Sequence, residues 1–154
     1  MRLEVVALAS WAVTATIGIT MAATWVTRGG LVKQPRDPQQ ALMMPPPYFN
    51  TPVVLTHLSC ALGGLLVWGI YVLVDQEVLA WAALVLLLPV LLFGLSMFGR
   101  WIGSRRARLA GAYAAAPTHP VESRLPAPAV VLHGLLGIVT IVLVVTVTLG
   151  HSGS

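Results

Sequence analysis

The amino-acid sequence predicts an all-α membrane protein: one bundle of four transmembrane helices. Of its 154 residues, 57% are apolar and only 9% are charged, and the mean hydropathy is +0.86. A helix needs about 20 consecutive apolar residues to cross a bilayer core, and the chain contains four such stretches. We place the spans at 5–27, 52–74, 78–99 and 127–149, within a single membrane domain that covers residues 1–154.

The connections between the spans predict two antiparallel hairpins. A long loop over 28–51 follows the first span, and the short turn Asp75–Glu77 joins the second and third spans tightly. A second long loop covers 100–126 and leads into the fourth span. Beyond these two hairpin-like halves no internal repeat is apparent, and no inverted pair of broken spans indicates a transporter.

Lysine and arginine are distributed unequally between the two sides of the predicted bundle. Three lie in loop 28–51 and five in loop 100–126, against Arg2 alone on the other side. The positive-inside rule therefore predicts cytoplasmic loops and external termini (N-out, C-out). The net charge of +4 thus reflects topology, and no nucleic-acid partner is expected. Four arginines directly after the third span are expected to attract anionic lipid headgroups: Arg100, Arg105, Arg106 and Arg108.

Two histidines interrupt otherwise apolar spans at the same depth. His57 lies six residues after Thr51, and His133 lies six residues after Ala127, which is roughly 9 Å along each helix. Two imidazoles at equal depth on different helices suit the axial ligation of the iron of one b-type haem. Three glycines in the same spans leave room for the close approach of a flat cofactor or a neighbouring backbone: Gly64, Gly134 and Gly137.

The same histidines also suit a structural role, in which each donates one hydrogen bond to a neighbouring helix. The leading functional prediction is therefore a small, non-catalytic accessory or assembly subunit of a larger membrane complex, for example a respiratory one. Its expected partners are other membrane-protein subunits. The alternative prediction is a b-type-haem electron-transfer protein with His57 and His133 as axial ligands, and haem b is the one cofactor considered.

Several classes of protein are excluded by residue types that the spans lack. The single cysteine, Cys60, rules out a CxxC redox pair and a cysteine-rich metal site. No Asp, Glu, Lys or Arg lies inside a span, so the charged relay of a proton-coupled pump is missing. The chain also lacks an HExxH helix and a phosphate-binding glycine loop, so no catalytic residue is assigned and a non-enzyme is favoured.

Two segments carry a resemblance to other proteins: LAWAALVLLLPVLLFGLSMFGRW at 79–101 and ESRLPAPAVVLHGLLGIVTIVLVV at 122–145. They resemble small four-span integral membrane proteins of high-GC actinobacteria, over residues 51–150. This resemblance implies a plasma-membrane location and four spans, and it implies no particular function. Because of its paired histidines, the predicted bundle also resembles cytochrome b561-like bundles, in architecture alone. Those bundles commonly carry two haems on four ligands, whereas this sequence offers one ligand pair.

Overall fold

The computed structural model describes residues 2–31, 49–111 and 121–151, and within these ranges the chain is helical without any strand. Four of the described helices are long and apolar enough to cross a membrane, which confirms the predicted all-α architecture with four candidate spans. The helices are α1 (Leu3–Thr27), α2 (Thr51–Val74), α3 (Glu77–Leu109) and α4 (Ala127–His151), with a short 3-10 helix at Val121–Arg124. Most of the two predicted loops lies outside the described ranges.

Local sequence explains where the helices begin and turn. Pro52 is the second residue of α2 and Pro128 the second residue of α4, positions at which the missing N–H of proline costs no helical hydrogen bond. Helix α2 ends at Val74 and is followed by Asp75, whose φ of 54° is left-handed, a conformation that aspartate tolerates better than most residues. Only Asp75 and Gln76 separate α2 from α3, so the predicted tight hairpin is confirmed.

Helix α3 extends well beyond the predicted end of the third span at 99. It continues to Leu109, so the four arginines that were assigned to a loop lie on a helix instead. Arginine is a good helix former, and hydropathy marks where a helix leaves the hydrocarbon without marking where it ends. The basic cluster is therefore an extension of α3, and its four arginines hold fixed positions on one helix.

The four helices form a bundle with two distinct ends. Helix α1 packs most extensively against α4, and α2 against α3, while the contacts of α1 with α2 and of α3 with α4 are smaller. We call the end with the Asp75–Gln76 turn the turn end, and the opposite end the loop end. Each end has its own buried cluster of side chains. At the loop end the buried residues are Trp25, Phe49, Trp101 and Leu125.

The outer surface of the bundle is apolar. Large side chains are left uncovered on it, for example Leu73 at 84%, Val78 at 70% and Leu92 at 66% exposure. Contiguous apolar surface of this kind is unfavourable in water and favourable against lipid tails. The fold thus defines a multi-pass, all-helical membrane protein.

Candidate functional site

The structure brings the two predicted site histidines together at the centre of the bundle. His57 is on α2 and His133 is on α4, and neither side chain is exposed. The centroids of the two imidazole rings are 6.3 Å apart, and the ring planes are inclined by 62°. The equal depth expected from the sequence is therefore accompanied by direct proximity of the two rings.

Each imidazole is held by a backbone carbonyl of a neighbouring helix. The Nδ1 atom of His57 lies 3.0 Å from the carbonyl oxygen of Val90 on α3, and Nδ1 of His133 lies 3.0 Å from that of Thr14 on α1. A carbonyl oxygen only accepts, so in each ring Nδ1 donates its hydrogen. A neutral imidazole in this tautomer carries its free lone pair on Nε2, the atom available to a metal or to another donor.

Two glycines leave the space that the imidazole rings occupy. A Cβ atom at Gly18 would lie 2.9 Å from Cε1 of His133, and a Cβ atom at Gly94 would lie 3.3 Å from Cε1 of His57. Carbon atoms in contact are normally at least about 3.5 Å apart. Any side chain at these two positions would therefore press on the imidazole rings.

The two halves of the site recur at one constant separation along the chain. The two members of each pair are 76 residues apart in the chain. The pairs are the accepting carbonyls of Thr14 and Val90, the glycines Gly18 and Gly94, and the histidines His57 and His133. The two hairpin-like halves noted in the sequence therefore correspond residue by residue around the site. The two hairpins are related by an internal repeat, in which α1 corresponds to α3 and α2 to α4.

The same separation relates further residues around the histidines. The counterparts are Met21 and Met97, Trp25 and Trp101, Pro52 and Pro128, and Val54 and Val130. The packing follows the repeat as well, because the α1–α4 contact corresponds to the α3–α2 contact. The paired site thus lies on an approximate two-fold axis that runs along the bundle between the two imidazoles.

A cavity surrounds the histidine pair. It has a volume of about 350 Å³, and its lining includes the histidines, Gly18, Gly94 and the loop-end cluster. The hydroxyls that line it are already bonded, since Thr14 donates to the carbonyl of Ser10 and Thr140 shares a hydrogen bond with the Ser10 hydroxyl. The imidazole Nε2 atoms add two nitrogen lone pairs to the wall of the cavity.

The cavity extends from the loop end to Trp11 and Leu87 of the turn-end cluster, and the repeat is not symmetric in that cluster. There the first half of the chain supplies Trp11, Trp68 and Tyr71, all at most 3% exposed, where the second half has Leu87, Val144 and Val147. Trp68 is fixed by a hydrogen bond of 3.1 Å from Nε1 to the carbonyl of Glu4. These large rings pack in the turn-end half of the described bundle.

The glycines proposed from the sequence occupy different surroundings. Gly134 and Gly137 line the cavity, and a Cβ atom at either would meet no protein atom within 4 Å. Gly64 is buried, and a Cβ atom there would lie 2.7 Å from the Trp11 ring, so this glycine serves packing near the turn end. The glycines that touch the imidazoles are Gly18 and Gly94, which sequence reasoning missed and which the 76-residue repeat identifies.

The contact at Gly64 leads to a stability prediction with a built-in control. Replacing Gly64 by alanine is expected to lower the free energy of unfolding by about 1–3 kcal/mol, because the new methyl group overpacks against Trp11. The neighbouring Gly63 has no atom within 4 Å of a Cβ position, so Gly63→Ala is expected to change little. Thermal unfolding in detergent measures both variants, and equal loss in the two would contradict the packing role.

In comparisons with known proteins, no family model, no curated protein sequence and no solved structure matches this chain. The resemblance to actinobacterial membrane proteins and to b561-like bundles therefore stays a prediction. The fold and the site by themselves define a four-helix membrane protein with an internal repeat and a histidine pair on its axis.

Proposed function

We propose that this protein is a b-type haem electron-transfer protein, with His57 and His133 as the axial ligands. His57 and His133 would hold the haem, and the bound haem would supply one-electron transfer without an open position for a substrate. The residues of the chain would bind the macrocycle, orient it along the axis of the bundle and exclude water from it. The observation that carries the proposal is the convergence of the two rings.

The separation of the rings supports this assignment. Imidazole nitrogens bind metals at about 2 Å, so two rings on opposite sides of one iron have centroids roughly 6 Å apart. The observed centroid separation is 6.3 Å. Two ring planes that both contain the ligation axis can have any mutual inclination, so the observed 62° is compatible with the same arrangement.

The hydrogen bonds and the cavity support it as well. A metal-binding histidine commonly donates its other ring N–H to a backbone carbonyl, which fixes the tautomer and the orientation of the ring. His57 and His133 both make this bond, to Val90 and Thr14. The cavity of about 350 Å³ falls in the range of roughly 300–1,000 Å³ that is usual for ligand sites.

The proposed topology places the site within the membrane near its cytoplasmic side. The asymmetry of lysine and arginine favours cytoplasmic loops and external termini, in the plasma membrane of a bacterium. The histidines then lie in the cytoplasmic half, since both follow shortly after the beginnings of α2 and α4 at the loop end. Electrons would therefore be exchanged with a partner on that side or within the membrane.

A second candidate is an accessory or assembly subunit whose histidines are structural. The two bonds from Nδ1 to neighbouring backbone favour it, because each joins two helices as a structural histidine would. Those bonds are common to both candidates. The approach of one ring to the other is what a purely structural role does not require, since either bond forms without the second histidine.

A reduced-minus-oxidised visible spectrum of the detergent-purified protein, expressed with haem supply, distinguishes the two candidates. A haem protein of this kind shows the sharp α-band of a low-spin, bis-histidine iron, in a ratio of one haem per chain. A folded protein without any haem absorbance would exclude the electron-transfer role. Proteins that co-purify with it would then identify the complex that an accessory subunit joins.

A further inference from the structure

Trp101, in the loop-end wall of the cavity, has a polar side-chain atom without a hydrogen-bond partner in the part of the chain that the structure describes. Trp101 is 5% exposed and lines the cavity, and within the described part of the chain no acceptor lies within hydrogen-bonding distance of its buried Nε1 atom. Buried indole N–H groups usually find an acceptor, because burial without one is unfavourable. The Nε1 atom is closed to water in this structure, so a ligand in the cavity would supply its acceptor once the indole ring turns towards the ligand.

A positive charge accompanies the unpaired donor. The guanidinium carbon of Arg105 lies 5.6 Å from the centroid of the Trp101 ring, one helical turn further along α3. Arg105 therefore places a cation beside the loop-end wall of the cavity. A neutral acceptor would gain only the hydrogen bond from Trp101, whereas a carboxylate would also gain this electrostatic attraction.

We propose that the loop end of the cavity binds a carboxylate of the ligand, with the Nε1–H of Trp101 as donor and Arg105 as the neighbouring cation. Trp101 lies seven residues after Gly94, the residue that touches His57, which is about 10 Å along α3. The ligand class is thus a planar macrocycle with acidic groups on one edge. The inference rests on the proposed function and orients the propionates of haem b towards the basic end of the bundle.

The metal-free ligand tests this subsite without using the histidines as ligands. Protoporphyrin IX and its dimethyl ester differ only in their carboxylates, and their binding to the full-length protein is measured by fluorescence titration. We expect the free acid to bind at least about tenfold more tightly than the ester, as a hydrogen bond to a charged group implies. Trp101→Phe, which keeps a ring and removes the N–H, is expected to lose most of this preference.

The internal repeat supplies the matched control. Trp25 occupies the equivalent position in the first half and belongs to the same loop-end cluster, so Trp25→Phe tests the loss of indole area alone. Arg105→Gln is expected to reduce the preference for the free acid, whereas Arg106→Gln, at an exposed position, is expected to retain it. A second readout is the ultraviolet resonance Raman signal of the indole N–H, obtained as wild type minus Trp101→Phe with and without protoporphyrin.

The outcomes separate this subsite from the axial ligation. Equal binding of the free acid and the ester by the wild type would overturn the carboxylate subsite, and so would a preference that Trp101→Phe retains in full. A wild type that binds neither porphyrin overturns it as well. A preference for the free acid that depends on Trp101, in a protein without a bis-histidine iron spectrum, would keep the subsite and reject the proposed electron transfer.

Discussion

Replacing either His57 or His133 by alanine is expected to abolish the low-spin haem spectrum of the purified protein. The centroids of the two rings are 6.3 Å apart, and each ring is held by its own carbonyl, so neither histidine can take the place of the other. No other histidine or cysteine side chain lines the cavity in the described ranges. Met21 and Met97 do line it, but a thioether in place of an imidazole would give a different spectrum. The reduced-minus-oxidised spectrum and the haem content per chain measure the effect.

The chain contains a suitable control for this prediction. His151 lies 18 residues after His133 at the turn end of α4, about 27 Å along the helix, so His151→Ala is expected to retain the spectrum. Retention of a bis-histidine spectrum in either His57→Ala or His133→Ala would refute the axial assignment. A colourless wild type, with both variants destabilised by about 0.6–2 kcal/mol, would instead indicate histidines that only join helices.

The spans could be predicted from the sequence because their signal is strong and local. Each apolar stretch is long enough to cross a membrane by itself, so composition alone located the four helices to within a few residues, apart from the loop end of α3. The histidines were identifiable for the same reason, since an imidazole among apolar residues is conspicuous. Their equal distance from the helix starts then indicated that they share a depth in the bundle.

The rest of the site could not be recognised from single positions. Thr14 and Val90 act through backbone carbonyls, which every residue has, so their side chains carry no signal. Gly18 and Gly94 are two glycines among 14 in the chain. The constant separation of 76 residues identifies these four residues together. Identical residues at that separation are nevertheless sparse, and 31–48 and 107–124 have no identical pair. Contacts in three dimensions were needed to select the relevant pairs.

The repeat has a chemical consequence for the proposed site. The histidines share the same hydrogen-bond geometry and the same kind of glycine contact, so their donor strengths towards a metal are expected to be similar. A ligand on the approximate two-fold axis meets the same imidazole on both sides. The propionate subsite does not follow the repeat, because the counterpart of Arg105 in the first half is Gly29. The histidines alone would accept a ligand in either direction. With Arg105 beside Trp101, the loop end can fix one of the two.

Among substitutions that keep both histidines, Gly18→Ala is expected to reduce haem binding the most. Its methyl group would lie 2.9 Å from Cε1 of His133, so the ring must move away from α1 and lengthen its bond to the Thr14 carbonyl. Gly94→Ala is expected to act in the same way on His57 and less strongly, because its contact is 3.3 Å. We expect haem occupancy to fall severalfold in Gly18→Ala and by less in Gly94→Ala.

The control for these variants is Gly99→Ala, on the same helix as Gly94, where a Cβ atom would meet nothing within 4 Å. If Gly18 acts through His133, then Gly18→Ala should change the thermal stability of the haem-free protein much less in the His133→Ala background than in the wild type. An equal loss in both backgrounds would mean that the alanine disturbs the α1–α4 packing in general. Equal haem occupancy in Gly18→Ala, Gly99→Ala and the wild type would show that the imidazole adapts freely, and that the glycine pair does not position the ligands.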